Sequence, residues 1–287
     1  MNPVTQTHIV PSQAVPIRIQ EYGIGIFDAC PTRSALKKAI KKRYVKVNGV
    51  VSGTGKYIRG GEAISLTLPV ENNTDRKLSL SLDVLFEDDY LALVHKPAGI
   101  PVSGNKFKTI DQALSQNLRY SSQSDAVTPQ PIHRLDYETT GVLLIGKSAA
   151  SIRELNKLFE NHQIEKIYFA VTMGEMNSYG TVDSAIEGRP AQSQYKVMQT
   201  VSSKRFGHLN LVQLKPLTGK RHQLRIHMLK TGNPVLGDRL YGVGEMMLHG
   251  KGLYLHAFSL KFRHPATGEI VHVADELPGK FKKIFDG

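Results

Sequence analysis

The sequence has no tryptophan and a single cysteine, Cys30, among its 287 residues. A lone thiol excludes a disulfide-stapled scaffold and a thiolate cage for a metal. Acidic residues are scarce: 25 Asp+Glu stand against 37 Lys+Arg, for a formal charge of +12. Long apolar runs are missing too. The richest, Gly141-Val142-Leu143-Leu144-Ile145-Gly146, falls far short of the ~20 residues a membrane helix needs, and Met1 leads into no charged-then-apolar signal segment. A cytosolic, cytoplasmic protein without membrane attachment is expected. Hydrophobic residues make up 40% of the chain, enough to close a core in a length that allows one or two domains. The surplus of positive charge suits a polyanion and favours nucleic acid over a small neutral metabolite.

Composition shifts divide the chain into two unequal domains. Residues 1–15 carry Pro3 and Pro11 without periodicity and are expected to form a flexible tail. Residues 16–70 are a compact basic block, 71–81 read as a linker around Glu71-Asn72-Asn73-Thr74-Asp75, and 82–287 alternate strand-like and helical segments without an internal repeat. In the basic block, Thr32 or Ser34 is placed to cap a helix reaching about Arg43. Leu36, Ala39 and Ile40 share one face, while Lys37, Lys38, Lys41 and Lys42 fall largely on the other. Residues 33–46 hold seven basic side chains and no acidic one, an arrangement that wants a counter-charge, although a merely solvated face is the plainer reading. Tyr44-Val45-Lys46-Val47-Asn48-Gly49-Val50-Val51 then reads as strand, Asn-Gly turn and returning strand, followed by the alternating strand Ala63-Ile64-Ser65-Leu66-Thr67-Leu68. This order resembles the S-four-like RNA-binding domain through Ser34-Ala35-Leu36-Lys37-Lys38-Ala39-Ile40, Val45-Lys46-Val47-Asn48-Gly49 and Gly60-Gly61-Glu62-Ala63-Ile64, although Gly23 and Gly25 interrupt the first helix of that pattern. The resemblance implies RNA contacts from Arg33, Lys37, Lys38, Lys41, Lys42 and Arg43.

Several chemistries fail on spacing. Gly53-Thr54-Gly55-Lys56 lacks the earlier glycine of a phosphate loop, since Val50 stands there, and Tyr57 occupies the magnesium-binding hydroxyl position. Eleven histidines show no H-E-x-x-H interval, and His222 and His227 are five apart, the wrong interval for one helical face. No G-x-S-x-G elbow occurs. Neither metal nor cofactor is expected.

Three segments of the larger domain stand out. His133-Arg134-Leu135-Asp136-Tyr137-Glu138-Thr139-Thr140-Gly141 is a charged, turn-rich loop feeding the apolar strand Val142-Leu143-Leu144-Ile145, a position where sites are often built. Out of context Asp136 reads as a turn or capping residue. After a helix over about 148–162, whose Ile152, Leu155 and Phe159 form a packing stripe, comes the strand Lys166-Ile167-Tyr168-Phe169-Ala170-Val171-Thr172. Its alternation turns Tyr168 away from the most apolar set, either as an ordinary half-buried tyrosine or as a flat ring for a base. Finally, Thr218 is placed to cap a helix ending near Gly232, with Arg221 and Arg225 on one face as phosphate-contacting or solvated cations, and Leu236-Gly237-Asp238-Arg239-Leu240-Tyr241-Gly242 follows.

Together these segments closely resemble the RluA-type pseudouridine synthases, with their H-R-L-D-x-x-T-S-G, K-x-Y-x-A-x-V and G-R-x-H-Q-I-R patterns and L-G-D-x-x-Y-G beyond. Lys96-Pro97-Ala98-Gly99, His256-Ala257-Phe258-Ser259-Leu260 and His264-Pro265-Ala266-Thr267-Gly268 extend the match over about 82–285. Thr140, Lys220 and Leu224 depart from the usual Ser, Arg and Ile. The resemblance implies an isomerase that converts uridine in RNA, ribosomal or transfer, to pseudouridine without cofactor. It implies an α+β fold: a mixed, mainly antiparallel sheet flanked by helices, beside a small RNA-binding domain, as a monomer. It makes Asp136 the catalytic carboxylate, adding to the sugar or taking a ribose proton. Arg225 pairs with Asp136, and Tyr168 stacks on the uracil and assists loss of the C5 proton. Arg134 fills the gap left by a flipped nucleotide, and Arg221 meets the RNA. Ile145 and Leu236 are expected as pocket walls. Two rivals are a non-catalytic RNA-binding protein that retains the fold, against which the carboxylate amid basic residues argues, and a base-excising glycosylase.

Overall fold

The computed structural model describes residues 4–13, 15–68, 78–242, 244, 248 and 250–285. The chain divides into two units, residues 1–77 and 78–287. In the first, β1 (Val4–Ile9), β6 (Ala63–Leu68), β3 (Val45–Val47) and β4 (Val50–Val51) form a sheet in that order, and β2 (Ile17–Arg18) pairs with β5 (Tyr57–Ile58). The expected tail is therefore a strand over Val4–Ile9, antiparallel to β6 from Val4↔Leu68 to Ile9↔Ala63. Its polar Thr-Gln-Thr-His run has no inward apolar alternation, so the strand is dictated by the free edge of β6 and not by its own residues.

Thr32 caps α2 (Arg33–Lys41) by accepting a hydrogen bond from Ala35 N at 3.2 Å. Leu36, Ala39 and Ile40 enter a core with Ile19, Val45 and Ile64. The helix stops at Lys41, and Arg43 lies beyond it in the left-handed region at φ 62, so it is a turn residue and not part of the helical face. Asn48 and Gly49 both have positive φ (50 and 79), which the primed hairpin turn requires. α1 (Ile19–Tyr22) is a single turn, since a Cβ at Gly23 would lie 2.9 Å from Leu36 Cδ2 where the chain bends past α2.

The second unit holds β7 (Val84–Glu87), β8 (Leu91–Lys96), α3 (Ile110–Asn117), β9 (Ala126–Pro131), β10 (Thr140–Ser148), α4 (Ala149–Glu160), β11 (Glu165–Met173), β12 (Tyr179–Asp183), β13 (Gln192–Ser203), β14 (Gly207–Pro216), α5 (Gln223–Lys230), β15 (Leu255–Arg263), β16 (Ile270–Ala274) and α6 (Gly279–Phe285). A ten-stranded sheet runs β12-β13-β14-β11-β15-β10-β8-β7, with β16 on β15 and β9 on β10. Only β10 and β15 pair in parallel, at Thr140↔His256 and Gly141↔Ala257, so the sheet is mixed and mainly antiparallel as expected.

Both faces of this sheet are covered. Leu143 and Ile145 of β10 enter one cluster with α3, while Val142 and Leu144 enter another with α4; each such buried aliphatic contributes roughly 1.5–3 kcal/mol. Residues 71–77 of the expected linker lie outside the described residues. Positions 78–81 belong to the second unit: Leu78 and Leu80 pack on its core, and Leu80 O accepts from Asn117 Nδ2 at 2.8 Å. No helix among the described residues is long and apolar enough to cross a membrane.

Candidate active site

The loop between β9 and β10, residues 132–139, is held at both ends and in the middle. At its start Ile132 N donates to Leu144 O at 2.9 Å. At its end Gly141, at φ 114, lies so close to β15 that a Cβ would sit 2.1 Å from Ala257 O. Between them, the fully buried ammonium of Lys96 donates to Thr139 O at 2.8 Å, Pro97 O at 3.0 Å and Tyr137 O at 3.4 Å. Burial lowers the Lys96 pKa to about 8, and the charge of Asp136 opposes that fall. Gly99 N adds a bond to Tyr137 O at 2.8 Å. The loop's shape thus depends on β8 and β15, and not on its own turn residues.

This scaffold presents Asp136, whose side chain is 20% exposed. Asp136 O accepts from Thr139 N at 3.1 Å, so the residue does close a turn through its backbone. Among the described residues its carboxylate accepts no hydrogen bond, but each oxygen faces a separate cationic or polar group. Oδ1 lies 3.6 Å from His222 Nε2, and Oδ2 lies 3.7 Å from Arg225 Nη1. Arg225 is itself held by Asp238: Nε and Nη2 donate to Oδ2 and Oδ1, both at 2.6 Å, with neither side chain more than 2% exposed. Burial disfavours the guanidinium charge, and Asp238 with Asp136 more than offsets it, so Arg225 titrates above its ordinary value. Asp238 Oδ1 also accepts from Leu240 N and Tyr241 N, at 3.0 Å each. The Tyr241 ring centroid lies 5.1 Å from the guanidinium carbon, within cation–π range.

Asp136, His222 and Arg225 border a cavity of about 520 Å³, a size that suits a nucleotide-sized ligand. Tyr168 lines it from β11, packed between two apolar clusters that include Leu135, Ala257, Leu214 and Leu224. As the alternation gives, Tyr168 lies on the side away from Phe169 and Val171, which enter another cluster; its own side is apolar too, because β11 is covered on both faces. Burial, with Asp136 beside it, holds the Tyr168 phenol well above its ordinary value, so it is a neutral O–H. His133 also lines the cavity and stacks on Phe159 at 4.8 Å between ring centroids. Phe159 is thus a wall of the site and more than packing. Nε2 of His133 accepts from Leu144 N at 3.1 Å, which requires the neutral ring; burial, with Lys166 nearby, lowers its pKa to about 4.

Of the residues read from sequence, Asp136, Tyr168, Arg225, Arg134 and Arg221 all border this cavity, the last two as exposed rim residues. Thr218 does not cap α5. Its hydroxyl accepts from Gln192 N and donates to Gln223 Oε1, and α5 starts only at Gln223 because His222 adopts φ 54. Arg221 therefore precedes the helix and does not share a face with Arg225. Ile145 and Leu236 sit inside apolar clusters and do not line the cavity. Lys37, Lys38, Lys41, Lys42, Arg33 and Arg43 all lie in the first unit. Arg33 is neutralised locally, its Nη2 2.9 Å from Glu21 Oε1. Lys96, His222, Asp238 and Tyr241 were quoted in the sequence patterns without a role; only their partners, 13 to 43 residues away, reveal one. Among the described residues no group of three or more His, Cys, Asp or Glu is arranged to hold a metal.

A partly exposed carboxylate beside a cationic rim, carried by a large mixed sheet, suits a site that acts on a polyanion. Residues 90–230 match the RNA pseudouridylate synthase family. Ribosomal large subunit pseudouridine synthase C of Yersinia pestis is 29% identical across 98% of this chain and 95% of its own. An RNA pseudouridine synthase of Aquifex aeolicus (strain VF5), described as uncharacterized, is 32% identical across 88% of each chain. The solved structure of human RNA Pseudouridylate Synthase Domain Containing 4 superposes with a TM-score of 0.57 at 27% identity, over 69% of this chain and 90% of that one. The chain belongs to the RNA pseudouridine synthase family, RluA type, and is an isomerase acting on RNA.

Proposed function

We propose that the enzyme isomerises uridines of structured ribosomal RNA, with Asp136 as the catalytic carboxylate. The name of the Yersinia pestis relative supports the ribosomal target. The reaction breaks the C1′–N1 bond, turns the freed base, and joins C5 to C1′, while a proton leaves C5 and one is gained at N1. Ionised Asp136 adds to the sugar or removes a ribose proton, and both routes require a carboxylate with free lone pairs. The observation that carries this reading is that Asp136 accepts no hydrogen bond among the described residues, yet stands 3.7 Å from a buried guanidinium. Arg225 faces its charge and orients it. Tyr168 stacks on the uracil and assists loss of the C5 proton. A base inside a helix cannot reach such a site, so the target nucleotide is flipped out and Arg134 takes its place in the stack. Arg221 meets backbone phosphate at the rim. The first unit serves as an S-four-like module whose Lys37, Lys38, Lys41, Lys42 and Arg43 hold RNA, with Arg33 a weaker contributor because Glu21 already pairs with it.

The test is Asp136→Asn, assayed for pseudouridine in ribosomal RNA from a strain lacking the protein. RNA affinity is retained and turnover disappears. Substantial pseudouridine formation by the variant sinks the assignment, and release of free uracil by the wild type marks a glycosylase instead.

A further inference from the structure

His222 borders the cavity in a backbone conformation that non-glycine residues seldom hold unless the surroundings impose it (φ 54). Its side chain is held by Tyr241. The Tyr241 hydroxyl lies 2.9 Å from His222 Nδ1, and the two rings meet edge to face with centroids 5.7 Å apart. Tyr241 is in turn tied by its N–H to Asp238 Oδ1 and lies under the Arg225 guanidinium. One tyrosine therefore supports both groups that face Asp136: Arg225 at Oδ2 and His222 at Oδ1.

A carboxylate only accepts, so serving Asp136 requires the hydrogen on Nε2. In that tautomer Nδ1 accepts from the Tyr241 O–H, and a chain with one direction runs from Tyr241 O–H to His222 Nδ1 and from His222 Nε2–H towards Asp136 Oδ1. The charged groups facing the imidazole are Asp136 and Asp238 on one side and Arg225 and Arg221 on the other. Burial, aided by the two guanidiniums, holds the imidazole below its ordinary value, so the neutral ring that this chain needs is the form present at neutral pH. The 3.6 Å separation is longer than a hydrogen bond, as catalytic contacts often are before substrate closes the site.

We propose that His222, fixed by Tyr241, is a positioning residue that presents Nε2–H to Asp136 and, opposite Arg225, holds the carboxylate in one orientation towards the ribose. This role rests on Asp136 being the catalytic carboxylate.

The experiment is single-turnover kinetics at saturating enzyme, on ribosomal RNA from the deletion strain. The variants are His222→Phe, His222→Gln, Tyr241→Phe and Asp136→Asn, each with RNA affinity measured by filter binding. His222→Phe lowers the saturated rate by about tenfold or more, with affinity unchanged within about twofold. His222→Gln, whose amide N–H reaches the same place, recovers most of the rate. Tyr241→Phe removes the hydroxyl without substituting position 222, so it reports even if substitution there impairs folding; it slows turnover several-fold with affinity unchanged. Wild-type rate in both His222→Phe and Tyr241→Phe, with Asp136→Asn inactive, overturns this role alone. A His222→Gln protein as slow as His222→Phe reduces His222 to a support for α5. Turnover by Asp136→Asn overturns the catalytic assignment and this role with it.

Discussion

Arg225 and Asp238 meet through two parallel hydrogen bonds of 2.6 Å, both out of solvent, and leave one guanidinium nitrogen 3.7 Å from Asp136. Two carboxylates thus share one cation, with Asp238 fully engaged and Asp136 held only by field and shape. Asp136 keeps its lone pairs for substrate while the cation beneath it is locked in place. The planar fork of arginine makes this possible, and a lysine could not bond Asp238 at both oxygens while still facing Asp136.

Breaking this buried pair from either side should therefore be expensive. Asp238→Asn and Arg225→Met should each lower stability by about 3–5 kcal/mol, because each strands a buried partner. The double variant should lose clearly less than the sum. Urea denaturation across the four proteins of the cycle measures the coupling; additive losses would show that the pair is not the stabilising unit.

His133 predicts acid sensitivity of the fold. Its folded pKa of about 4 lies below the ordinary 6.5, so the unfolded chain binds the proton first. The linked stability is complete above about pH 6.5 and is lost as pH falls towards 4, by up to about 3 kcal/mol. His256, buried with Nδ1 2.8 Å from Thr140 Oγ1, is pushed in the same direction by burial. Urea midpoints should fall between pH 7 and pH 4.5, and less so in a His133→Gln protein. Equal falls in both proteins would remove His133 as a cause.

Gly141→Ala should disable the enzyme although it adds one methyl group. At φ 114 a side chain is strained, and its Cβ would meet backbone at 2.1 Å. Either β15 or the end of the Asp136 loop must shift, with a stability loss of several kcal/mol and a large fall in turnover. Gly219→Ala, at a position with no neighbour within 4 Å and no positive φ, is the control and should be near neutral. Normal urea stability in Gly141→Ala would show that the strands can part without cost.

Replacing Lys37, Lys38, Lys41 and Lys42 together with Gln should weaken RNA binding and flatten its salt dependence. Each lost phosphate contact reduces the slope of log affinity against log salt by roughly 0.7–0.9. Filter binding from 50 to 300 mM salt measures this. An unchanged slope would take the basic helix out of the RNA interface.

Local signals carried much of this fold and site. The start of α2 at Thr32 or Ser34, settled as Thr32, and the Asn48-Gly49 turn follow from residues adjacent in the chain and are readable there. The loop with Asp136, the strand with Tyr168 and the segment with Arg225 could be recognised as segments and converge on one cavity. What could not be read was partnership over distance. Nothing near Asp238 says that it pairs with Arg225, nor does anything near Lys96 say that its ammonium gathers carbonyls 41 and 43 residues on. β1 is illegible for the same reason, since its pairing partners lie 54 to 64 residues away, from Ile9↔Ala63 to Val4↔Leu68. The helix expected from Thr218 begins only at Gln223, because His222 stands at φ 54, a backbone state that its residue type does not announce.

The anchoring of the Asp136 loop by Ile132, Lys96 and Gly141 has an evolutionary consequence. An arch tied at both feet and at its crown cannot lengthen or shorten without dislodging the group it carries. Insertions and deletions are thus barred from the chemistry and admitted only outside it, for instance in the bend-rich stretch 102–108 between β8 and α3. A lineage with this arrangement can vary elsewhere in the chain while the geometry around Asp136 passes down unaltered.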